Sequence, residues 1–314
     1  MSIKSSLKTL PNILHNYFLL AIRSNNASPS DRDLSRLSSD ELLSLMRHES
    51  HRIEKAAYNK LLLNTSKVKN YQEKRERLGK IYQILEERGY TTNEPTIAWS
   101  RQIYDTFDTL EANFILKYSQ QAHDFDPTLV KPFINFLRER RSVRVWAEEQ
   151  PDQSTLRKFA LDMIDSARWA PNSGNRQAWR FLVFNNPKEK ELLRKIKEDH
   201  CTTAPLLIFI GMDTRLYGAL GKSERSVFID AGAAIMQMIL TAHKCGLGAC
   251  WNHFADDLIN SRENNRKIYA DFAKYFKIPD YIAPIALVAI GRPKFIPPQP
   301  ARMEIEDLLM HDEP

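Results

Sequence analysis

With 314 residues, 43% hydrophobic and 27% charged, the chain has the balance of a soluble globular protein and the length of about two domains. Its net charge of +6 is spread thinly, +2 over residues 1–130 and +4 over 131–314. No segment therefore concentrates the basic stripe that duplex binding needs, which excludes a nucleic-acid partner.

Three cysteines, Cys201, Cys245 and Cys250, match neither a disulfide framework nor a zinc spacing, and predict a reducing, cytoplasmic setting. Residues 10–22 are apolar in bulk but are interrupted by Pro11, Asn12, His15 and Asn16. They are too short to cross a bilayer, so packing on the protein is expected rather than a membrane span.

A polar linker over 26–40 leads to Asp40, expected to cap a helix with Leu42, Leu43, Met46, Ile53 and Ala57 on one face. A second helix, about 67–88, turns Leu78, Ile81, Tyr82 and Leu85 inward. A third, after Pro95, carries a stripe of Trp99, Ile103, Phe107, Leu110, Phe114 and Tyr118. These predict a helical bundle over residues 1–126. His48, His51 and Glu54 lie at three-residue spacing, but no other ligand type accompanies them. Ion pairs on a solvated helix edge account for them, and no metal site is expected.

The linker Asp124–Pro127 opens a second domain, 127–314. Arg138, Arg140, Arg141 and Arg144 fall within seven residues at a helix end; the pattern suits a solvated face or an anion grip equally. Leu156, Phe159, Ala160, Met163, Ile164 and Ala167 form a helical stripe that Pro171 ends. Asn172, Ser173, Gly174 and Asn175 then read as a tight polar loop with free backbone amides, before a strand through Trp179, Phe181, Val183 and Phe184.

Lys188–Glu198 reads as a surface helix, Ala204–Met212 as an interior strand, and 213–225 as a loop near a site. Ser226–Lys244 is apolar almost all round, with Asp230, Gln237 and Thr241 near one line. Such a helix is central or lies in a subunit interface. It ends at Gly246-Leu247-Gly248, a glycine cap. Pro284–Gly291 is a further buried strand, and the prolines from Pro297 to Pro300 specify an extended arm.

Four segments stand in order: Arg140-Arg141-Ser142-x-Arg144; Ala170 to Gln177 with Trp179; the apolar helix running into Gly246-Leu247-Gly248-Ala249-Cys250-Trp251; and Ala289-Ile290-Gly291-Arg292-Pro293 with the later Arg302. Together they resemble the FMN-dependent nitroreductase family over about residues 133–310. The resemblance implies an α+β fold: a mixed sheet flanked by helices, made into an intertwined homodimer by a central helix and exchanged arms, with FMN at the interface.

Carried over by position, Arg140, Arg141 and Ser142 approach the flavin and its ribityl chain, Arg144 and Arg302 clamp the phosphate, and Pro171, Asn172, Ser173, Asn175 and Gln177 hold the flavin edge. Cys250, Trp251, Asn252 and His253 complete the site, with amides around the last two facing the reactive N5 side. No side-chain nucleophile is implied. The chain departs from the family's habit at Asn172, where serine is common, at Ala178, where proline is usual, and at His253, where the residue is often smaller.

The implied activity is ping-pong hydride transfer from NADH or NADPH to a small acceptor such as a nitro compound, quinone or enone; no nicotinamide fingerprint chooses between the two donors. Alternatives are a specialised flavin enzyme, dehalogenating or dehydrogenating a pathway intermediate, and a flavin-binding subunit whose N-terminal bundle recruits a protein partner.

Overall fold

The computed structural model describes residues 34–63, 71–105, 121–184, 186–194, 199–217, 225–254 and 263–310. The expectations for residues 10–22, for the stripe from Phe107 to Tyr118, for the end of the surface helix at 195–198 and for the loop at 218–224 lie outside the described residues. The chain divides into two units, residues 1–119 and 120–314, whereas the sequence reading divided it at 126.

In the first unit, helices α1 (Ser39–Leu63), α2 (Tyr71–Glu87) and α3 (Pro95–Asp105) surround Leu42, Met46, Ile53, Leu78, Ile81, Leu85, Ile97 and Ile103. Heptad-like spacing puts these side chains on the inner faces. Ser50 and Ser100, both buried, share a 2.6 Å hydrogen bond across α1 and α3. The cap of α1 corrects the expectation at Asp40. Glu41 N donates to Ser38 Oγ, and Ser38 N donates to Glu41 Oε2 at 3.0 Å. This reciprocal box satisfies two orphan amides, which Asp40, already inside the helix, cannot do.

The second unit contains α4 (Val130–Glu139), α5 (Gln153–Ala167), α6 (Pro187–Glu191), α7 (Asp199–Thr202), α8 (Ser226–Lys244) and α9 (Glu263–Tyr275). Its strands are β1 (Trp179–Phe184), β2 (Leu206–Asp213), β3 (Gly248–His253) and β4 (Ile282–Gly291). They form one sheet in the order β1-β2-β4-β3, and every neighbouring pair is antiparallel.

That corrects the expected mixed sheet. The long crossover through α8 does join two parallel strands, β2 and β3, but β4 inserts between them and pairs antiparallel with both. The one parallel pairing among the described residues is an isolated bridge, Ser142 to Ala249.

Alternation sorts the strand side chains between two layers. Leu206, Ile208, Ile210 and Met212 face α5 and α8, while Leu207 and Phe209 join Phe272 of α9 on the other side. The register slips between Ile210 and Gly211, opposite Pro284. A proline inside a central strand lacks a ladder donor, and a bulge accommodates it.

α8 ends as its glycines require. Gly246 adopts φ +78°, its N–H donates to His243 O at 3.1 Å, and Leu247 N–H donates to Ala242 O at 2.9 Å; these are the paired bonds of a Schellman turn. α5 is capped by Asp152, whose carboxylate accepts from Thr155 N at 2.9 Å. The Ser154 hydroxyl, then the Thr155 hydroxyl and backbone N–H, hold that carboxyl well below the usual carboxylate range.

Two outcomes test this account. A Cβ at Gly248 would lie 2.6 Å from Val143 Cγ2, so Gly248→Ala should destabilise the fold by about 1–3 kcal/mol, read from denaturant midpoints. Because the folded-state pKa of Asp152 is depressed, its contribution is complete above about pH 4 and fades as pH falls through the folded value. Asp152→Ala should lower the melting temperature at pH 7 and lose that acid-sensitive component.

Candidate functional site

Between α5 and β1 the chain makes a loop with three left-handed demands within four residues: Gly174 at φ 63°, Asn175 at 52° and Gln177 at 53°. Glycine meets such a demand freely and asparagine tolerably, but glutamine is strained there. Hydrogen bonds over-determine the geometry. Gln177 N–H donates to Asn172 Oδ1 at 3.0 Å, Asn175 N–H to Asn172 O at 3.3 Å, and Ser173 N–H to Asp230 Oδ1 at 3.0 Å. Arg176 Nη1 reaches Ser173 O at 2.6 Å.

The amides of Ser173, Asn175 and Gln177 are therefore occupied, a correction to the expectation that they are free. Asn172 acts as a brace, since its Nδ2 also donates to Ala170 O. What the loop offers a ligand is a pair of side-chain amides. Gln177 Nε2 donates to Asn175 Oδ1 at 3.0 Å, which commits one atom of each amide and leaves Asn175 Nδ2 with donor capacity and Gln177 Oε1 with acceptor capacity. Pro171 is exposed at the start of the loop.

A second cluster is cationic. Arg140 follows the end of α4 and is half-buried. Burial, then the guanidinium groups of Arg141 and Arg302, push its pKa down, opposed by Cys250. Arg141 is tethered to the arm, its Nε donating to Pro298 O at 3.3 Å. Arg302 is exposed and donates to Ala301 O. The structure thus brings Arg302 near enough to Arg140 for its charge to act there. Arg144 lies further along, exposed, on a segment pinned to the sheet by Val143 N–H to Ala249 O at 3.1 Å and by the bridge at Ser142.

On β3, the period of two puts Cys250 and Asn252 on one face and Trp251 and His253 on the other. Cys250 is buried, whereas Trp251 is 41% exposed. Asn252 Oδ1 lies 2.7 Å from His200 Nε2, and its Nδ2 donates to Cys250 O at 3.0 Å, so its side chain is committed to holding the strand. His253 is exposed at the strand end.

In the first unit His51 Nδ1 lies 3.6 Å from Glu54 Oε2. No group of three metal-binding side chains occurs among the described residues.

Sequence reasoning missed the role of Asp230. It noted the residue as polar on α8, but the fold makes it the acceptor for Ser173 N–H, for Tyr217 Oη at 2.7 Å and, through its carbonyl, for Trp179 Nε1 at 3.0 Å. The available signal was an acidic residue, the one charged side chain before the last turn of a helix apolar almost all round.

Residues 137–201 and 191–292 match the Nitroreductase family. The chain is 26% identical over 162 residues, half of its own length and 75% of the relative's, to a protein assigned as NADH dehydrogenase/NAD(P)H nitroreductase in Methanothermobacter thermautotrophicus. A protein with the same assignment in Archaeoglobus fulgidus is 26% identical over 167 residues, 51% of this chain and 85% of that one. Among solved structures, a Desulfovibrio desulfuricans protein described as a nitroreductase in complex with FMN shares 22% identity with a TM-score of 0.46, covering 60% of this chain and 99% of its own.

Arg140, with the guanidinium groups of Arg141 and Arg302 acting on it, should accept a polyvalent anion. Pyrophosphate at low ionic strength should raise the melting temperature of the wild type, less so in added salt. In Arg140→Ala/Arg302→Ala the shift should vanish.

Proposed function

Since the chain belongs, through residues 137–292, to the nitroreductase family, we propose that it is an FMN-dependent oxidoreductase that carries hydride from NADH or NADPH to a small acceptor, such as a nitro compound, quinone or enone, in ping-pong order. The observation that carries this reading is the arm's approach to the arginine segment: Arg141 Nε donates to Pro298 O at 3.3 Å, and Arg140, half-buried, has its pKa pushed down by burial and then by the guanidinium groups of Arg141 and Arg302. A phosphate monoester satisfies such a cluster through charge-assisted, forked hydrogen bonds.

The donor set fits FMN at both of its polar ends. Arg140, Arg141 and Arg302 suit the phosphate, with Arg144 and Ser142 on the same pinned segment available to the ribityl chain. The Asn175 donor and Gln177 acceptor match the alternating imide edge of the ring. Bound FMN supplies a group that accepts hydride and then delivers it. The protein's own work is to orient that group, to keep one face open to donor and acceptor in turn, and to place a guanidinium charge where reduction adds negative charge. The His200–Asn252 bond keeps the β3 backbone in place beside the site.

A homodimer completes this reading. Phe228, Ile229 and Met236 leave one face of α8 apolar and exposed, Phe133 and Ile134 do the same on α4, and Met303, Ile305, Leu308, Leu309 and Met310 are exposed along the arm. Apolar area on that scale suits an obligate interface. In that assembly the loop of one protomer would face the arginines of the other. Cys201, Cys245 and Cys250 form no disulfide, which suits the cytoplasm.

Visible spectra recorded without oxygen test the proposal. The purified protein should show an oxidised flavin spectrum that bleaches on adding NADH or NADPH and returns with a quinone. A protein that takes up no FMN on reconstitution would overturn the reading. Arg140→Ala/Arg302→Ala should fold yet bind FMN about a hundredfold more weakly, as loss of two charge-assisted contacts predicts.

A further inference from the structure

We propose that Asp230 is a positioning residue for the cofactor loop, acting with Tyr217 as a clamp that sets the Asn175–Gln177 amide pair; the inference rests on the flavin reading above. Asp230 is 4% exposed. Removing a carboxylate from water is costly unless both oxygens are hydrogen-bonded. Asp213, the other buried carboxylate among the described residues of this unit, solves the problem with cations: Arg215 Nη2 at 2.6 Å and Arg180 Nη2 at 3.4 Å. Asp230 instead takes neutral donors, Ser173 N–H of the left-handed loop and the Tyr217 hydroxyl.

Oδ1 accepts from Ser173 N at the loop's start, the Asp230 carbonyl accepts from Trp179 Nε1 just after its end, and Oδ2 accepts from Tyr217 Oη. Both ends of the loop are thereby fixed to a single residue of α8, a rigid helix. Arg176 closes the circuit, with Nη1 on Ser173 O and Oγ and its guanidinium 5.5 Å from the Tyr217 ring centroid. Left-handed Gln177 is strained, and a strained residue persists only where its surroundings hold it. Without the carboxylate, Ser173 loses its acceptor and the amide pair loses its fixed presentation.

The test compares wild type, Asp230→Ala, Asp230→Asn and Tyr217→Phe by hydrogen exchange of ligand-free protein over residues 168–178, and by FMN titration of the apoprotein. Asp230→Ala should speed exchange in that segment while α8 and the sheet stay protected, and should weaken FMN binding by about tenfold or more, as loss of bonds to a charged acceptor predicts. Asp230→Asn keeps an oxygen for Ser173 and should stay within about threefold of wild type; Tyr217→Phe, losing one neutral donor, should fall between.

Unchanged exchange in Asp230→Ala overturns the clamp. A loosened segment with undiminished FMN affinity overturns its role in cofactor binding. Should Asp230→Ala fail to fold, Tyr217→Phe decides, since wild-type exchange and affinity there would overturn the proposal. A wild type that binds no FMN defeats the flavin reading, whereas the exchange result still decides whether Asp230 holds the loop.

Discussion

Strand β4 is buried along its whole length and hydrogen-bonded along both edges. Everything in the second unit adjusts to that constraint. A strand covered on both faces must be apolar throughout, and each place where another segment comes close must lack a side chain. Gly211 lies opposite the bulge, where a Cβ would collide with Ile282, and a Cβ at Gly291 would come within 2.6 Å of Pro205. Gly248 admits Val143 against the start of β3, and so brings the segment carrying Arg140, Arg141 and Arg144 to the sheet. The site is in this sense a consequence of how the central strand is packed.

Two ways of handling charge sit on this frame. At the arginines, like charges are left close together and partly desolvated, an arrangement stable only because two of the three side chains retain contact with water. At Asp213 and Asp230 the charges are buried and fully partnered. The first arrangement is poised to gain a ligand, and the second to hold backbone still. A binding site for a dianion beside a flat, polar ring needs both: an electrostatic well and a rim whose donors do not move.

The apolar helix α8 ties these parts together. One of its faces packs on the sheet through Val227, Ala231, Ala234, Ile235 and Met238, and its C-terminal end receives α4, with Phe136 stacked on His243 at 4.7 Å and accepting a hydrogen bond from His243 through its carbonyl. Its remaining apolar face, with Phe228, Ile229 and Met236, is uncovered in a single chain. The same helix therefore carries the core, the anchor of the polar loop and the surface best suited to a second copy.

The elements and the site were legible in the sequence to different depths. Periodicity places α5 and α8, because the apolar stripes from Leu156 to Ala167 and from Val227 to Ala242 report burial directly. Apolar runs bounded by turn residues place β2 and β4. Motif order singles out the arginine segment, the Pro171–Gln177 loop and Arg302 as candidates for one site, because those residue types suit the chemistry. Sequence alone did not determine that β4 lies between β2 and β3, because strand neighbours are chosen by long-range packing and leave no local mark. Nor did it determine that the loop amides are spent within the protein, that Arg302 comes near Arg140, or that Asp230 grips Ser173 and Tyr217. Those pairings join residues as far as 162 positions apart, from Arg140 to Arg302, and only the closed sheet brings them within reach.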